Sequence, residues 1–317
     1  MSHNPPCFPY NRLRPRTFSP EVAVFTRSLA AVVFTMTALL AADPASPFPA
    51  DAKVTKLAGG FKFTEGSKPD ADGNVYFTDQ PNDRIHIWSV EGKLSTFLEP
   101  AGRSNGLFID AKGKLWACAD EKNELWTIDV KTKAKTVVVK DYNGKLLNAP
   151  NDVWVGPDGS AYFTDPMYAR NYWTRDKAEQ QDARGVYHLN PKGELKRVDG
   201  AFKQPNGITG SLDGKTLYVA DINDKKTYSY TIGEGGKPTD RKLFCEAGSD
   251  GMTVDSAGNV YLTSGKVLVF DTTGKKVTEL AVPESPANVC FGGKGFKTLF
   301  ITARTGLYSV PTDVSGK

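Results

Sequence analysis

The sequence predicts an all-β protein, a six-bladed β-propeller, and three observations carry that prediction. One hairpin of two short strands around a glycine-bearing turn recurs six times along the 317 residues. Its turn glycines, Gly73, Gly113, Gly159, Gly214, Gly258 and Gly295, are separated by 40, 46, 55, 44 and 37 residues, the period of a four-stranded repeat. Beyond the first fifty residues no stretch keeps a helical period, while 30 glycines, 20 prolines and 11% aromatics favour strands and turns.

The six copies are FTEGSKPDADGNVYFTD (63–79), SNGLFIDAKGKLWACAD (104–120), PNDVWVGPDGSAYFTD (150–165), PNGITGSLDGKTLYVAD (205–221), SDGMTVDSAGNVYLTS (249–264) and ANVCFGGKGFKTLFITA (287–303). In each, β-branched and aromatic residues flank the turn, as in a hairpin. Third strands follow as RIHIWSV, ELWTIDV, GVYHLN, KTYSYTI, VLVFDT and GLYSVPT, and outer strands as LSTFLEP, TVVVKD, LKRVDGA, KLFCEA and VTELAV. The last repeat lacks an outer strand. Residues 54–57, within KVTKLAGG, read as one, so the N-terminal strand is expected to complete the last blade and close the ring. A two-sheet sandwich is the competing fold, but it has no need of six copies of one hairpin at this spacing.

Three segments follow: a leader over 1–42, a short linker over 43–52, and one propeller domain over 53–317. The leader carries Arg12, Arg14, Arg16 and Arg27 ahead of SLAAVVFTMTALLAA (28–42), an apolar run of signal-peptide length. Cleavage after Ala42 makes the protein periplasmic or secreted, with no membrane attachment afterwards; an uncleaved anchor is the alternative. Removing the leader takes away four arginines and one glutamate and leaves 36 basic against 35 acidic residues, so the formal +4 implies no polyanionic partner. No basic run interleaved with aromatics remains, which argues against nucleic-acid binding. Cys7 falls in the leader, and Cys118, Cys245 and Cys290 lack metal-site spacing, so buried free thiols are expected.

Aligned on the turn glycines, one position is polar in every copy. Glu65, Asn105, Asn151, Asn206 and Asp250 stand eight residues before the glycine, and Asn288 stands seven before it. Innermost strands line the central channel of a propeller, so these six side chains are expected to ring one end of it. Asn and Asp beside glycine also cap turns locally, the plainer reading of any single copy. Strict register, together with Glu65, favours the ring. Two carboxylates facing one another call for a cation, and hard oxygen donors favour Ca²⁺, with Mg²⁺, Mn²⁺ or Zn²⁺ as alternatives. Such an ion suits Lewis-acid catalysis. His3 lies in the leader and His86 and His188 in third strands, and no GxSxG elbow is present, so a Ser-His-Asp triad has no support.

Together, FTEG, NAPNDV with GPDGSAYFTDPMY, QPNGI with SLDGKTLYVAD, and SDGM resemble the SMP-30/gluconolactonase family of six-bladed hydrolases, from about residue 54 to residue 310. The pairing PNDV…FTDP resembles its gluconolactonase branch, although FTDPMYA stands where that branch often has FTDPPYG. The resemblance implies one divalent cation held by Glu65, Asn206 and Asp250, with Asn151 a fourth ligand or a substrate contact. It further implies that Asp250 is the general base or, alternatively, a nucleophile. The implied substrate is a small molecule, a sugar lactone; an organophosphate or aryl ester on the same site, or a propeller that binds without catalysis, are the alternatives. Asn105, Asn288 and Arg103 are candidate substrate contacts. Residues 167–184 lengthen the third interval; lying over the mouth, they would bring Tyr168 and Tyr172 or Trp173 into the pocket, whereas an inert surface loop would not.

Overall fold

A computed structural model of the chain describes residues 1–2, 14–18 and 46–317. The expected apolar leader segment, its cleavage point and Cys7 lie outside the described residues. Among the described residues twenty-four strands form six four-stranded sheets. The first is β2 (Thr64–Pro69), β3 (Val75–Asp79), β4 (Arg84–Trp88) and β5 (Leu94–Leu98); the second is β6 (Ser104–Ile109), β7 (Lys114–Ala119), β8 (Glu124–Asp129) and β9 (Lys135–Val139). The third is β10 (Val153–Val155), β11 (Ala161–Asp165), β12 (Gly185–Leu189) and β13 (Leu195–Asp199); the fourth is β14 (Pro205–Gly210), β15 (Thr216–Asp221), β16 (Lys226–Ile232) and β17 (Pro238–Cys245). The fifth is β18 (Met252–Val254), β19 (Val260–Thr263), β20 (Val267–Phe270) and β21 (Lys276–Leu280). In the sixth, β22 (Pro286–Gly292), β23 (Thr298–Ala303) and β24 (Gly306–Pro311) are joined by β1 (Thr55–Gly59), which pairs Thr55 with Ser309 and Gly59 with Gly306. The architecture is the all-β six-bladed propeller that the repeat predicts.

The recurring glycines have a local cause. At the first turn Asp70 Oδ1 accepts the Asp72 and Asn74 N–H groups at 3.0 and 2.9 Å, and Gly73 turns the chain at φ 92°. Asp110, Asp255, Asp271 and Asn190 repeat that cap. An Asx residue three positions ahead of a left-handed glycine closes the hairpin with its own side chain. The core lies between blades rather than at the axis: Val153, Phe163 and Tyr187 of the third blade pack on Cys118, Leu125 and Val139 of the second. Cys118, Cys245 and Cys290 are free and buried. Burial pushes the Cys245 and Cys290 thiols up to about 11 and about 12, which keeps them protonated and inert.

At the other end of the inner strands the pairing is irregular. Register breaks between Glu65 and Lys68, Ser104 and Leu107, Pro205 and Ile208, and Pro286 and Asn288. In the third and fifth blades one threonine faces two residues: Thr164 accepts from Asn151 and donates to Asp152, and Thr263 accepts from Asp250 and donates to Gly251. These are β-bulges, which bend a strand and re-aim a side chain.

Bulged inner strands crowd their neighbours. A Cβ on Gly66, at φ 52°, would lie 2.1 Å from the Asn105 carbonyl oxygen of the next blade. Gly66→Ala is therefore expected to destabilise by about 2–4 kcal/mol, from left-handed strain plus overpacking. Gly113→Ala, at φ 75° with open space around it, should cost only the strain, about 1–2 kcal/mol. Urea unfolding of both variants checks the difference; equal costs would contradict the crowding.

Candidate active site

The bulges fix which side chain of each inner strand faces the channel. Thr78, Thr164 and Thr263 donate their hydroxyls to the carbonyl oxygens of Asn105, Asn206 and Ala287 in the following blades, at 3.0, 2.7 and 2.8 Å. Ala287, not Asn288, is thus the sixth counterpart of Glu65, Asn105, Asn151, Asn206 and Asp250. Asn288 sits one residue further on, equivalent to Asp152 and Gly251. Its Oδ1 accepts the Val289 N–H at 2.8 Å, and its amide lies against Gly251. Eight residues back from Gly295, the count that holds in the other five blades, stands Ala287; Asn288 is seven back and so one residue off that register. With side chains alternating along a strand, one residue turns the amide away from the mouth. Five oxygen-bearing side chains form the ring.

Glu65, Asn105, Asn151 and Asn206 are buried, and Asp250 keeps partial access to solvent. The Asn206 Nδ2 donates to Asp250 Oδ1 and to the Tyr168 hydroxyl, both at 2.9 Å. Its Oδ1 is buried and has no partner among the described residues. A lone buried acceptor is costly, and buried polar atoms are almost always satisfied. The amides of Asn105 and Asn151 form no hydrogen bond with described side chains or backbone. Glu65 Oε2 accepts one bond, from the Gly66 N–H at 3.2 Å.

Electrostatics select what belongs beside these groups. Burial, then the negative charges of Asp250 and Asp152, holds the Glu65 carboxyl well above the usual range. Burial likewise raises Asp250, against the bond from Asn206 and the positive charges of Arg170 and Arg304. One layer down, burial pushes Asp152 up to about 6, opposed first by the Lys68 ammonium, whose Nζ donates to the Met252 carbonyl at 3.2 Å. Among the described residues no three His, Cys, Asp or Glu side chains converge as a metal cluster. A cation here would meet a carboxylate pair and amides, the donor set of a hard ion. The unpartnered Asn206 Oδ1 and the raised carboxyls fit that group. His86 and His188 pack on Phe77 and Tyr162, and burial lowers both, so neither supplies a base at the mouth.

The long connection between β11 and β12 leaves from the same end as the ring, because β11 runs antiparallel to β10. Its base is pinned where Gln180 and Gln181 N–H groups bond Asn148 Oδ1, both at 2.9 Å. Tyr168 reaches the ring through Asn206. Tyr172 and Trp173 do not point the same way: the Tyr172 hydroxyl donates to Asp120, and the buried Trp173 donates Nε1–H to the Asp120 carbonyl at 2.9 Å. Arg103 stacks on Tyr172 at 4.3 Å and donates to the Pro81 carbonyl at 2.7 Å.

Asp120, Arg170, Asp152 and Lys68 are not singled out by sequence reasoning, although one signal is available. The second strands of the first four blades end in FTD, CAD, FTD and VAD. Asp79, Asp165 and Asp221 clamp two backbone N–H groups of the segment entering their own blade. In the second blade Asp83 performs that task, binding Ala101 and Arg103 N–H groups. Asp120 is thereby free, and its Oδ2 instead receives Gln80 Nε2 at 3.1 Å, Arg170 Nε at 3.0 Å and the Tyr172 hydroxyl.

Comparison with known proteins places these features in context. Residues 63–305 match the model of the SMP-30/gluconolactonase/LRE-like region. A gluconolactonase of Zymomonas mobilis is 30% identical over 290 residues, covering 82% of this chain and 81% of that one. A pentonolactonase of Haloferax volcanii is 29% identical over 245 residues, 73% and 78% of the two chains. The solved structure of a Xanthomonas campestris gluconolactonase superposes with a TM-score of 0.77 at 27% identity, over 84% of this chain and 91% of that one.

The raised carboxyls give a pH signature. Asp152, pushed up to about 6, and Asp165, pushed up to about 7 by burial, are protonated in folded and unfolded chains alike at pH values well below the ordinary aspartate range. As pH climbs from about 4 toward their folded values, the unfolded chain ionises while the folded one does not, as also holds for Glu65 and Asp250. Each tenfold difference in proton affinity between the two states then withdraws about 1.4 kcal/mol of stability. Chelator-treated protein should lose thermal stability between about pH 4 and 7, and a divalent cation, were one bound between Glu65 and Asp250, would remove their share of that loss. Scanning calorimetry reads both; a midpoint flat over this range without metal would contradict the charge assignment.

Proposed function

The chain belongs to the SMP-30/gluconolactonase/LRE-like family, and from that membership we propose a metal-dependent lactonase that opens a sugar lactone by attack of water on its carbonyl carbon. It is a hydrolase of cyclic esters, as its lactonase relatives indicate. The observation that carries the metal-dependent reading is the unpartnered Asn206 Oδ1 beside the Asp250 and Glu65 carboxyls. Glu65, Asn151, Asn206 and Asp250 would hold one divalent cation, and their oxygen donors suit Ca²⁺. When bound, that ion supplies Lewis-acid polarisation of the lactone carbonyl and stabilises the charge developing on its oxygen.

The protein's own groups account for the remaining steps. Asn206 donates to Asp250 Oδ1 and so fixes the carboxylate plane. The other oxygen of this partly exposed side chain takes a proton as a water oxygen bonds to the carbonyl carbon. The ring C–O bond then breaks, and Asp250 returns the proton to the departing alkoxide, giving a hydroxy acid with no net change at the enzyme. Asn105 and Asn151, with amides uncommitted among the described residues, orient substrate hydroxyls. Tyr168, beside Asn206, borders the same space. Arg103, held at Pro81 and Tyr172, contributes at the rim. The leader over 1–42 would export the enzyme to the periplasm or medium, a reading supported by its arginines and apolar run.

Calcium-loaded protein should release acid from an aldonolactone in a pH-stat. Asp250→Asn and Glu65→Gln are each expected to lower kcat by about 10²–10³-fold with circular dichroism unchanged. Full activity in either variant would contradict the assignment. In a Gram-negative host, N-terminal sequencing of the exported product should begin at Asp43; a product starting at Met1 would refute cleavage.

A further inference from the structure

The insertion in the third blade carries a cation into the mouth. Arg170 donates Nε–H to Asp120 Oδ2 at 3.0 Å, and Asp120 is free for this because Asp83 performs the backbone clamp of its blade. An arginine serving only to tie a loop to a carboxylate would use its terminal fork, two parallel N–H···O bonds. Arg170 spends Nε alone. Its two terminal nitrogens have no hydrogen-bond partner among the described residues, and its side chain stays 25% exposed. The guanidinium stands 5.4 Å over the ring of Tyr168, whose hydroxyl accepts from Asn206, so the free fork lies one side chain from the carboxylate pair. Its positive charge acts on both Glu65 and Asp250. Arg304, in the turn between β23 and β24 of the sixth blade, is a second exposed cation that acts on Asp250 and has no ion pair among the described residues.

Hydroxyls alone make poor use of a preoriented, partly desolvated guanidinium fork, whereas carboxylate and phosphate oxyanions match it two bonds at a time. We propose that Arg170 is a specificity-determining residue that binds an oxyanion carried by the substrate away from the scissile ester, so that the preferred substrate is an acidic sugar lactone with a free carboxylate or phosphate. This rests on the lactonase reading above. Asp120 is the positioning residue that sets the fork.

The test compares the calcium-loaded full-length protein with Arg170→Gln and Arg170→Lys on a neutral gluconolactone, a glucarolactone bearing a carboxylate, and a phosphogluconolactone. The wild type should favour one of the two acidic lactones in kcat/KM by about tenfold or more, and which one it favours identifies the anion. Arg170→Gln should lower kcat/KM on that lactone by about 30–100-fold more than on the neutral one, chiefly through KM. Arg170→Lys should fall between. An equal loss on all three lactones, or no preference in the wild type, would overturn the proposal. If no lactone is opened, the lactonase reading fails by itself, and calorimetric binding of the glucarate dianion decides the role of Arg170. Weaker binding to Arg170→Gln with gluconate affinity unchanged supports it, and identical affinities refute it.

Discussion

Two carboxylates within charge range of one another, Glu65 buried and Asp250 only partly open to solvent, are the constraint on which the rest of the site depends. Glu65 and Asp250 come from blades distant in sequence, and neither has a salt-bridge partner within the described residues. Each raises the cost of ionising the other. Such a pair stays protonated or acquires a positive charge, and its surroundings supply oxygen acceptors rather than additional protein donors. The Asn206 amide illustrates the choice: it donates to Asp250, and its oxygen is left with nothing to accept from the described residues.

The fold delivers this arrangement through repetition with local exceptions. Bulges open the inner strands, threonine hydroxyls tie several of them to the next blade, and small residues behind the ring let the strands converge. Where a further acid occurs, at Asp152, a lysine from the first blade lies within electrostatic reach, so compensation there is built from the chain itself. The pair at the mouth has no such lysine. The same logic separates Asp120 from its counterparts: relieved of a backbone clamp, it anchors an insertion that reaches the mouth.

Much of this is legible in the sequence because the signals repeat. A left-handed glycine marks every hairpin, an Asx cap precedes several of them, and their spacing marks the blades. Five ring residues are legible by the same register. Asn288 stands seven rather than eight residues before its glycine and so falls outside that register, and one residue reverses a strand side chain. Arg170, Asp120 and the inward reach of Tyr168 are not legible, since an insertion has no copies against which to align it. The FTD, CAD, FTD, VAD series is visible, but its functional exception depends on Asp83 having taken over a clamp, which is a fact of three dimensions.

The central claim is that the mouth is a cation site completed by the Asn206 oxygen. The most direct measurement is anomalous diffraction from crystals of chelator-stripped protein refilled with Ca²⁺. The account predicts one ion per chain, with Asn206 Oδ1, Glu65 and Asp250 oxygens about 2.3–2.6 Å from it. An ion bound elsewhere, or one at the mouth that leaves the Asn206 oxygen without contact, would contradict it.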